Sequence, residues 1–463
     1  MTAPVTSQIR HGALGVPGRR RARRAPRPRP WVVQICAAVT WLGLGVTAAL
    51  GIAAESSGSL SAPGGVLTFG GRMSGLVGAY AMLIAVLLAA RIPALERALG
   101  QDGLLALHRR LAPWALGLIA AHGVLIAAGY AQAAGTGMAA EIWSLLTTLP
   151  GVLAATAGFG LLAMAGITSY RAVRRRMAHE TWWAVHLYTY LGLALAFSHQ
   201  LTTGASFVGH PTAQVVWTIV WLATAGTVLV YRVALPIWRS VRHHVRVEDV
   251  TAEAPGVFSL VVSGRALDRL PLSGGQFFQW RFLVPGLWWQ AHPYSVSALP
   301  AGDRMRVTVK GFGEHSRALA RLRPGTRVVI EGPYGAFTAD HGSGEGALII
   351  AAGVGATPAR ALLEDLPPGS RPVVVLRARR REDLVHADEI ESLARARGGS
   401  VDTLIGPRED HPIDAALLRA LAPDVERRDV YVCGPAEFSR QVLAAARAAG
   451  VPPARCHHET FHH

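Results

Sequence analysis

The sequence predicts a multidomain chain: a six-helix transmembrane bundle, then an antiparallel β-barrel, then an α/β domain built on a parallel sheet. Three observations predict it. Six apolar stretches, each long enough to span a bilayer, fill the first half of the chain. From about residue 243 the composition changes to short β-type runs punctuated by Gly and Pro. Beyond the Gly-rich linker His341–Gly346, apolar strands alternate with helical segments.

The apolar stretches lie at about 31–54, 73–92, 104–130, 145–169, 181–201 and 213–236. Ahead of them residues 1–30 form an Arg/Pro-rich tail with Arg10, Arg19, Arg20, Arg21, Arg23, Arg24, Arg27 and Arg29. The second connection holds Arg91 and Arg97, followed by Arg109 and Arg110. The fourth holds Arg171, Arg174, Arg175 and Arg176, and Arg239, Arg242 and Arg246 follow the sixth stretch. The first, third and fifth connections carry no Arg or Lys except Arg72. By the positive-inside rule both termini are cytoplasmic. A cleaved signal peptide is the alternative for residues 1–54, but that apolar run exceeds a typical signal core, and the later alternation needs the first helix.

The formal net charge is +16, almost all of it arginine, with Lys310 the only lysine. Its concentration at the membrane flanks suits a bilayer and gives no reason to expect nucleic acid. The skew towards arginine points to a GC-rich genome. Cys36, Cys433 and Cys456 make neither a disulfide framework nor a cysteine metal site.

Four histidines sit inside the third and fifth stretches, His108 and His122 in one, His186 and His199 in the other. At ~1.5 Å per residue each pair spans roughly 20 Å, most of a ~30 Å hydrocarbon core. A histidine at such depth needs a partner inside the bundle. Imidazole is an axial ligand of haem iron, so two histidines at two matching depths could clamp two b-type haems, one near each face. Both helices run from inside to outside, which pairs His108 with His186 near the cytoplasm and His122 with His199 near the outer face. The fourteen-residue interval returns almost to one helix face, but thirteen leave an offset of about 140°. The helix carrying His186 and His199 is therefore kinked, or the two haems are rotated relative to each other.

In the soluble half, Val257–Val262 and Met305–Val309 read as strands of a small barrel spanning residues 241–340. Residues 346–463 read as strands at Ala347–Ala352, Pro372–Leu376, Val401–Leu404 and Val430–Cys433, with a helix at Ala359–Leu366. The turn Gly353-Val354-Gly355-Ala356-Thr357-Pro358 lies between a strand and a helix, where glycines let a backbone approach a pyrophosphate. His292-Pro293-Tyr294-Ser295 places an aromatic ring beside a hydroxyl, a setting for a flavin. Lys310, Gly313 and Ser316 lead into a short helix whose start could hold further phosphates. Cys433-Gly434-Pro435 ends a strand at the carboxyl edge of the sheet, where ligands bind in such folds. Arg377, Arg379 and Arg380 follow a strand where an adenosine phosphate could lie, which hints at NADPH over NADH.

Taken in order, these motifs resemble the ferric reductase and NADPH oxidase superfamily. The histidine intervals are similar to the family's bis-haem pattern. His292-Pro293-Tyr294-Ser295 resembles its flavin motif HP(F/Y)(T/S), Gly353–Pro358 its GxGxTP, and Cys433-Gly434-Pro435 its nicotinamide-side CGP. Glu459-Thr460-Phe461 resembles its C-terminal Glu-x-aromatic segment, which closes over the flavin, although here the chain ends Phe461-His462-His463. Arg72 matches the arginine that the oxidases place beside the outer haem, where its anionic partner would be a haem propionate; a helix-end arginine snorkelling to the interface is the bland alternative. The oxidases' further histidine, four residues past the outer helix-three ligand, is Ile126 here. No calcium-binding loop is visible.

The resemblance implies a transmembrane flavocytochrome b in a bacterial plasma membrane. NAD(P)H would reduce FAD, and electrons would pass through two haems to a small-molecule or protein acceptor outside the cytoplasm, with oxygen and ferric iron equally favoured. Ser295, Cys433, Phe461 and Arg72 would then stand nearest the reacting groups. The rival is a haem-free, membrane-tethered reductase serving a cytoplasmic partner. A single helix would suffice for that, and the histidine pairs would be unexplained. A redox-regulated transporter has no charged path in the helices to support it.

Overall fold

The computed structural model describes residues 30–311, 313–343 and 345–461. The arginine-rich tail, Phe312, His462, His463 and the Phe461 side chain lie outside them. The chain divides into two compact units, one ending at Leu235 and the other starting at Pro236.

The first unit is helical: α1 (Pro30–Ala53), α2 (Gly65–Ala89), α3 (Pro93–Ala134), α4 (Met138–Thr148), α5 (Val152–Ser169), the short α6 (Arg171–Arg174), α7 (His179–Thr203) and α8 (Pro211–Leu229). Among the described residues, five segments are long and apolar enough to cross a membrane: Trp31–Ala53, Gly65–Ala89, Gly103–Ala134, Val152–Ser169 and Pro211–His243. The predicted fifth span is also a long helix, α7, but falls short in apolarity. His186, Tyr188, Tyr190, His199 and Gln200 lower it; of these His186, His199 and Gln200 are partly buried, while both tyrosines are exposed. Trp41 and Trp114, 71% and 76% exposed, stand on outer faces where lipid would cover them.

Helix α2 begins at Gly65, earlier than the sequence predicts, because a glycine stripe lets it lie close against α3. A Cβ on Gly71 would fall 2.9 Å from Ile126, and one on Gly78 3.0 Å from Leu118. Small residues at this spacing bring helices together where no hydrophobic drive separates lipid from protein. Helices α5 and α7 meet likewise at Gly158 and Gly192.

The second unit continues through α9 (Leu235–His243), whose Arg239 guanidinium donates to the Gly332 carbonyl. Six strands follow: β1 (Arg246–Ala254), β2 (Val257–Ser263), β3 (Phe277–Phe282), β4 (His292–Ala301), β5 (Arg304–Lys310) and β6 (Val328–Tyr334). They form an antiparallel sheet in the order β1-β2-β5-β4-β3-β6. Phe278, Trp280 and Phe282, two residues apart, all point into one core with Leu260, Val262 and Val307. The predicted closed barrel is corrected to an open sheet. The edge strands approach only through the bridge Arg246–Arg327 and neighbouring backbone bonds such as Val247 N–H to Thr326 O (2.8 Å). A register shift interrupts the pairing of β1 with β2 between Val247 and Asp249.

After the short α10 (Glu314–Leu319) comes a parallel sheet of β7 (Ala347–Ala352), β8 (Val373–Ala378), β9 (Ser400–Ile405), β10 (Asp429–Pro435) and β11 (Cys456–Phe461), ordered β11-β10-β7-β8-β9. Helices α11 (Ala356–Asp365), α12 (Ala387–Arg395), α13 (Ala415–Leu421) and α14 (Ala436–Ala448) accompany it. Its central strands are covered on both faces, which explains unbroken apolar runs such as Val373-Val374-Val375-Leu376. The edge strand β11 escapes the sequence pattern, because four of its six residues are polar.

Candidate functional site

In the helical unit the four histidines meet as two pairs. The ring centroids of His108 and His186 are 6.2 Å apart at 74° between planes, and those of His122 and His199 are 6.3 Å apart at 40°. Nδ1 of His108 donates to the Ala85 carbonyl and Nδ1 of His122 to the Gly71 carbonyl, both at 2.8 Å. A carbonyl can only accept, so these bonds settle the tautomer and leave each Nε2 lone pair for a ligand. Gly75 is required beside His122: a Cβ there would lie 2.6 Å from its Nδ1. Trp182 stacks on His186 at 5.2 Å and donates to Ser169 Oγ at 3.0 Å. Nδ1 of His199 is buried and has no hydrogen-bond partner among the described residues.

Two imidazoles held trans on one metal, about 2 Å from it, have ring centroids about 6 Å apart. Both pairs leave that room. Among the described residues no cluster of three or more His, Cys, Asp or Glu could hold a metal ion, whereas a porphyrin iron asks the protein for only two ligands. The donor sets therefore fit haem. No break interrupts α7 between its histidines, and the two pairs differ in ring angle. Of the two predicted resolutions of the thirteen-residue offset, a kink in α7 is absent.

Arg72 lies in α2, one residue past the carbonyl that anchors His122. The sequence reading supplied it with a haem propionate and passed over Glu55, the single acidic residue of the first connection. Arg72 donates to Glu55 Oε1 at 2.9 Å, and Ser59 donates to Oε2 at 2.7 Å. The Ser59 hydroxyl, helped by Arg72 and opposed by partial burial, holds the Glu55 carboxyl below its ordinary range.

In the second unit, strand order reverses between β7 and β10, with β8 and β9 on one side and β11 on the other. Ligands of open α/β sheets bind outside such a reversal, at the strands' carboxyl ends. The turn Gly353–Gly355 and the run Cys433-Gly434-Pro435 end these two strands side by side.

Residues 74–197 match the family described as ferric reductase like transmembrane component, and residues 349–443 match the oxidoreductase NAD-binding domain. Ferredoxin–NADP reductase B of Sorangium cellulosum is 31% identical over 42% of this chain and 81% of its own length. The ferredoxin reductase component of a 3-ketosteroid-9-alpha-monooxygenase from Mycolicibacterium smegmatis is 32% identical over 46% of this chain and 63% of its own. The chain spans about half the length of a Xylella fastidiosa flavohemoprotein (51%) that it also matches. The FAD/NAD-binding domain of nitric oxide dioxygenase from Vibrio cholerae aligns at 23% identity and TM-score 0.40, over 47% of this chain and 98% of that domain. The chain belongs to the ferric reductase and NADPH oxidase superfamily.

This member is accordingly a multi-pass membrane protein and an NAD(P)H oxidoreductase, with an FAD- and NAD(P)H-binding module in its second half. In that module the rings of His292 and Tyr294 stack at 6.2 Å, and His315 lies 3.8 Å from His292. Pro293 between them is exposed. Ser295 is buried and pairs with Phe277 across the sheet. Burial pushes the Tyr294 phenol pKa up, so the ring stays neutral. Lys310 ends β5, and Ser316 Oγ accepts from Gly313 N–H at 3.0 Å at the start of α10.

At the strand reversal the two turn glycines have different reasons. Gly353 sits at φ +55° with open space where a Cβ would go, whereas a Cβ on Gly355 would lie 2.3 Å from the Cys433 carbonyl. Gly353 faces open space, and Gly355 serves backbone packing. A Cβ on Gly434 would likewise meet Phe438 at 2.8 Å. Thr357 and Pro358 are buried at the start of α11, and Thr357 Oγ1 has no hydrogen-bond partner among the described residues.

Two predicted site residues are corrected. Arg377 does not offer its guanidinium to a phosphate: it donates to the carbonyls of Ala378 (3.0 Å), Leu404 (2.7 Å), Gly406 (2.9 Å) and Pro407 (2.6 Å). It ties β8 to the end of β9. Arg379 is exposed, while Arg380 pairs with Glu382 and Asp383. Cys433 is fully buried among Ala351, Leu376 and Phe337, and burial pushes its thiol pKa well up. A protonated core thiol is not a reacting group in this arrangement. Glu459 stands opposite Cys433 on β11.

The sequence reading also missed a polar seam between the module's two sheets. Arg306 of β5 grips Glu389 of α12 with two bonds of 2.8 Å, and Arg360 of α11 adds a third at 2.8 Å. Glu364 of α11 accepts the Leu299 backbone N–H at 3.0 Å. Burial pushes the Glu389 carboxyl up, but the His386 hydrogen bond and both guanidiniums outweigh it and leave its pKa well below the usual range. With the folded value depressed, its contribution is whole above the unfolded value of about 4.3 and is lost as pH falls through the folded value. Thermal melts of the full chain, followed by flavin fluorescence, should therefore lose stability below about pH 4.3 more steeply for wild type than for Glu389→Gln. Parallel curves would remove Glu389 from the acid response.

Proposed function

We propose that the chain takes a hydride from NAD(P)H at the cytoplasmic face and delivers its electrons singly to an acceptor beyond the membrane, either oxygen or ferric iron. FAD would sit in the sheet of residues 241–340, NAD(P)H in residues 346–463, and one b-type haem on each histidine pair of residues 31–240. Both termini would be cytoplasmic, in the plasma membrane of a bacterium. The observation that carries this reading is the meeting of four histidines from two helices as two pairs, each with room for one metal.

Bound there, FAD would split the hydride's electron pair into single electrons, and the haems would relay them across the bilayer. The chain's own residues do the holding. His108 and His122 are aimed by helix α2 carbonyls, and His186 and His199 complete the ligand sets. His292, Tyr294 and Ser295 would line the flavin ring, with Pro293 turning the strand between them, while Lys310, Gly313 and Ser316 would hold its phosphates. Gly353 would leave the pyrophosphate of NAD(P)H room at the α11 terminus, beside Thr357 and Pro358. Gly355, Gly434 and Pro435 would shape the nicotinamide end, with Glu459 and Phe461 towards the flavin. Arg379 would meet an adenosine phosphate.

Purified protein reduced with NAD(P)H should give a b-type spectrum with about two haems per flavin. One haem per flavin would break the relay. None would leave the helices as a mere anchor and favour delivery to a cytoplasmic partner.

A further inference from the structure

The electrons of the proposed function leave the protein past the His122–His199 pair, and Arg72, ion-paired with Glu55, follows directly on the residue that anchors His122. That residue is Gly71, whose carbonyl holds His122, and Gly75, one helical turn beyond Gly71, abuts the same imidazole. The His108 anchor, Ala85, lies fourteen residues beyond Gly71 on the same helix. The Arg72–Glu55 pair is therefore at the end of the bundle remote from His108 and His186. Its arginine side chain is 29% exposed, and its carboxylate, 13% exposed, is also held by Ser59.

We propose that Glu55 is a positioning residue that sets the charge class of the acceptor by neutralising Arg72. A free guanidinium there would draw an anionic ferric complex towards the outer pair. Bound to Glu55 at 2.9 Å, it presents an ion pair with no net charge, and anionic complexes lose that advantage over neutral or cationic ones. The inference rests on the proposed outward electron transfer and adds a preference to it. The stoichiometry is unaffected: each NAD(P)H yields two electrons and one proton and reduces two one-electron acceptors, becoming NAD(P)+.

The test uses the full chain in liposomes with NADPH enclosed and two impermeant outer-sphere acceptors outside, trianionic ferricyanide and tricationic hexaammineruthenium(III). The readout is the ratio of their kcat/KM values, which a merely structural loss would not move because it lowers both alike. Removing one negative charge within a few ångströms of a trivalent ion, at a partly screened site, should change encounter about tenfold. Glu55→Gln should shift the ratio about tenfold towards ferricyanide, Arg72→Gln should shift it the other way, and Glu55→Asp should restore it. The shifts should shrink at high salt. An unchanged ratio in Glu55→Gln, or equal losses with both acceptors, overturns the proposal. If the wild type reduces neither acceptor while its flavin is reduced, outward transfer itself fails and this inference falls with it.

Discussion

Replacing His122 with leucine is expected to remove one of the two haems while NAD(P)H still reduces the flavin. His122 enters its pair with Nδ1 committed to the Gly71 carbonyl at 2.8 Å, so only Nε2 is free to ligate. Leucine fills similar volume but offers no lone pair, and the imidazole of His199, about 6 Å away in the intact pair, cannot hold an iron from one side with equal strength. Loss of an outer-shell partner alone typically costs about 10–100-fold in metal sites, so loss of a ligand should lower transmembrane turnover at least about a hundredfold. The haem-to-flavin ratio should fall from about two to about one. The same protein, mixed with NAD(P)H, should reduce its flavin at the wild-type rate. A full two-haem spectrum in this variant would sink the pairing.

Substituting Gly355 with alanine should disable the nucleotide-binding half with no change in the membrane unit. The new Cβ would stand 2.3 Å from the Cys433 carbonyl oxygen and 2.7 Å from its carbon, atoms held in β10 between β7 and β11. Neither strand can yield without breaking the ladder, and overpacking of this kind costs about 1–3 kcal/mol or more. Use of NAD(P)H should be lost or its KM sharply raised, and the module should melt several degrees lower. Haem reduced chemically with dithionite should look unchanged. For melting alone Gly353→Ala is the packing control, with space for the methyl group and only the φ of +55° against it, worth roughly 1–2 kcal/mol. Equal melting of Gly355→Ala and wild type would mean that the β7 turn does not pack on Cys433 as described.

Legibility followed the range over which each feature is encoded. The histidine intervals are local, and the arginine distribution predicts that the two helices run the same way, so the pairing of His108 with His186 and His122 with His199 could be read before any coordinates. The strands around Gly353 and Cys433 were legible for the same reason, as apolar runs punctuated by turn residues. Partners were harder. Glu55 lies seventeen residues from Arg72, and nothing local marks it as an ion-pair partner beyond its being the one acid in that connection. Trp182 precedes His186 by one helical turn, a spacing that could have flagged the stack.

By itself the sequence determined the long helices, the spacing of four histidines along two of them and the succession of an antiparallel and a parallel sheet. These follow from hydropathy, charge placement and side-chain period, which act on neighbouring residues. Only the tertiary structure decided that Arg377 is consumed by four carbonyls, that Cys433 is sealed in a core, that Gly355 serves packing, and that Glu55 answers Arg72. It also decided that the antiparallel sheet stays open. Each of these depends on which atoms distant segments bring within a few ångströms, where a hydrogen bond, a buried thiol or a missing Cβ has meaning only once the other side of the contact is in place.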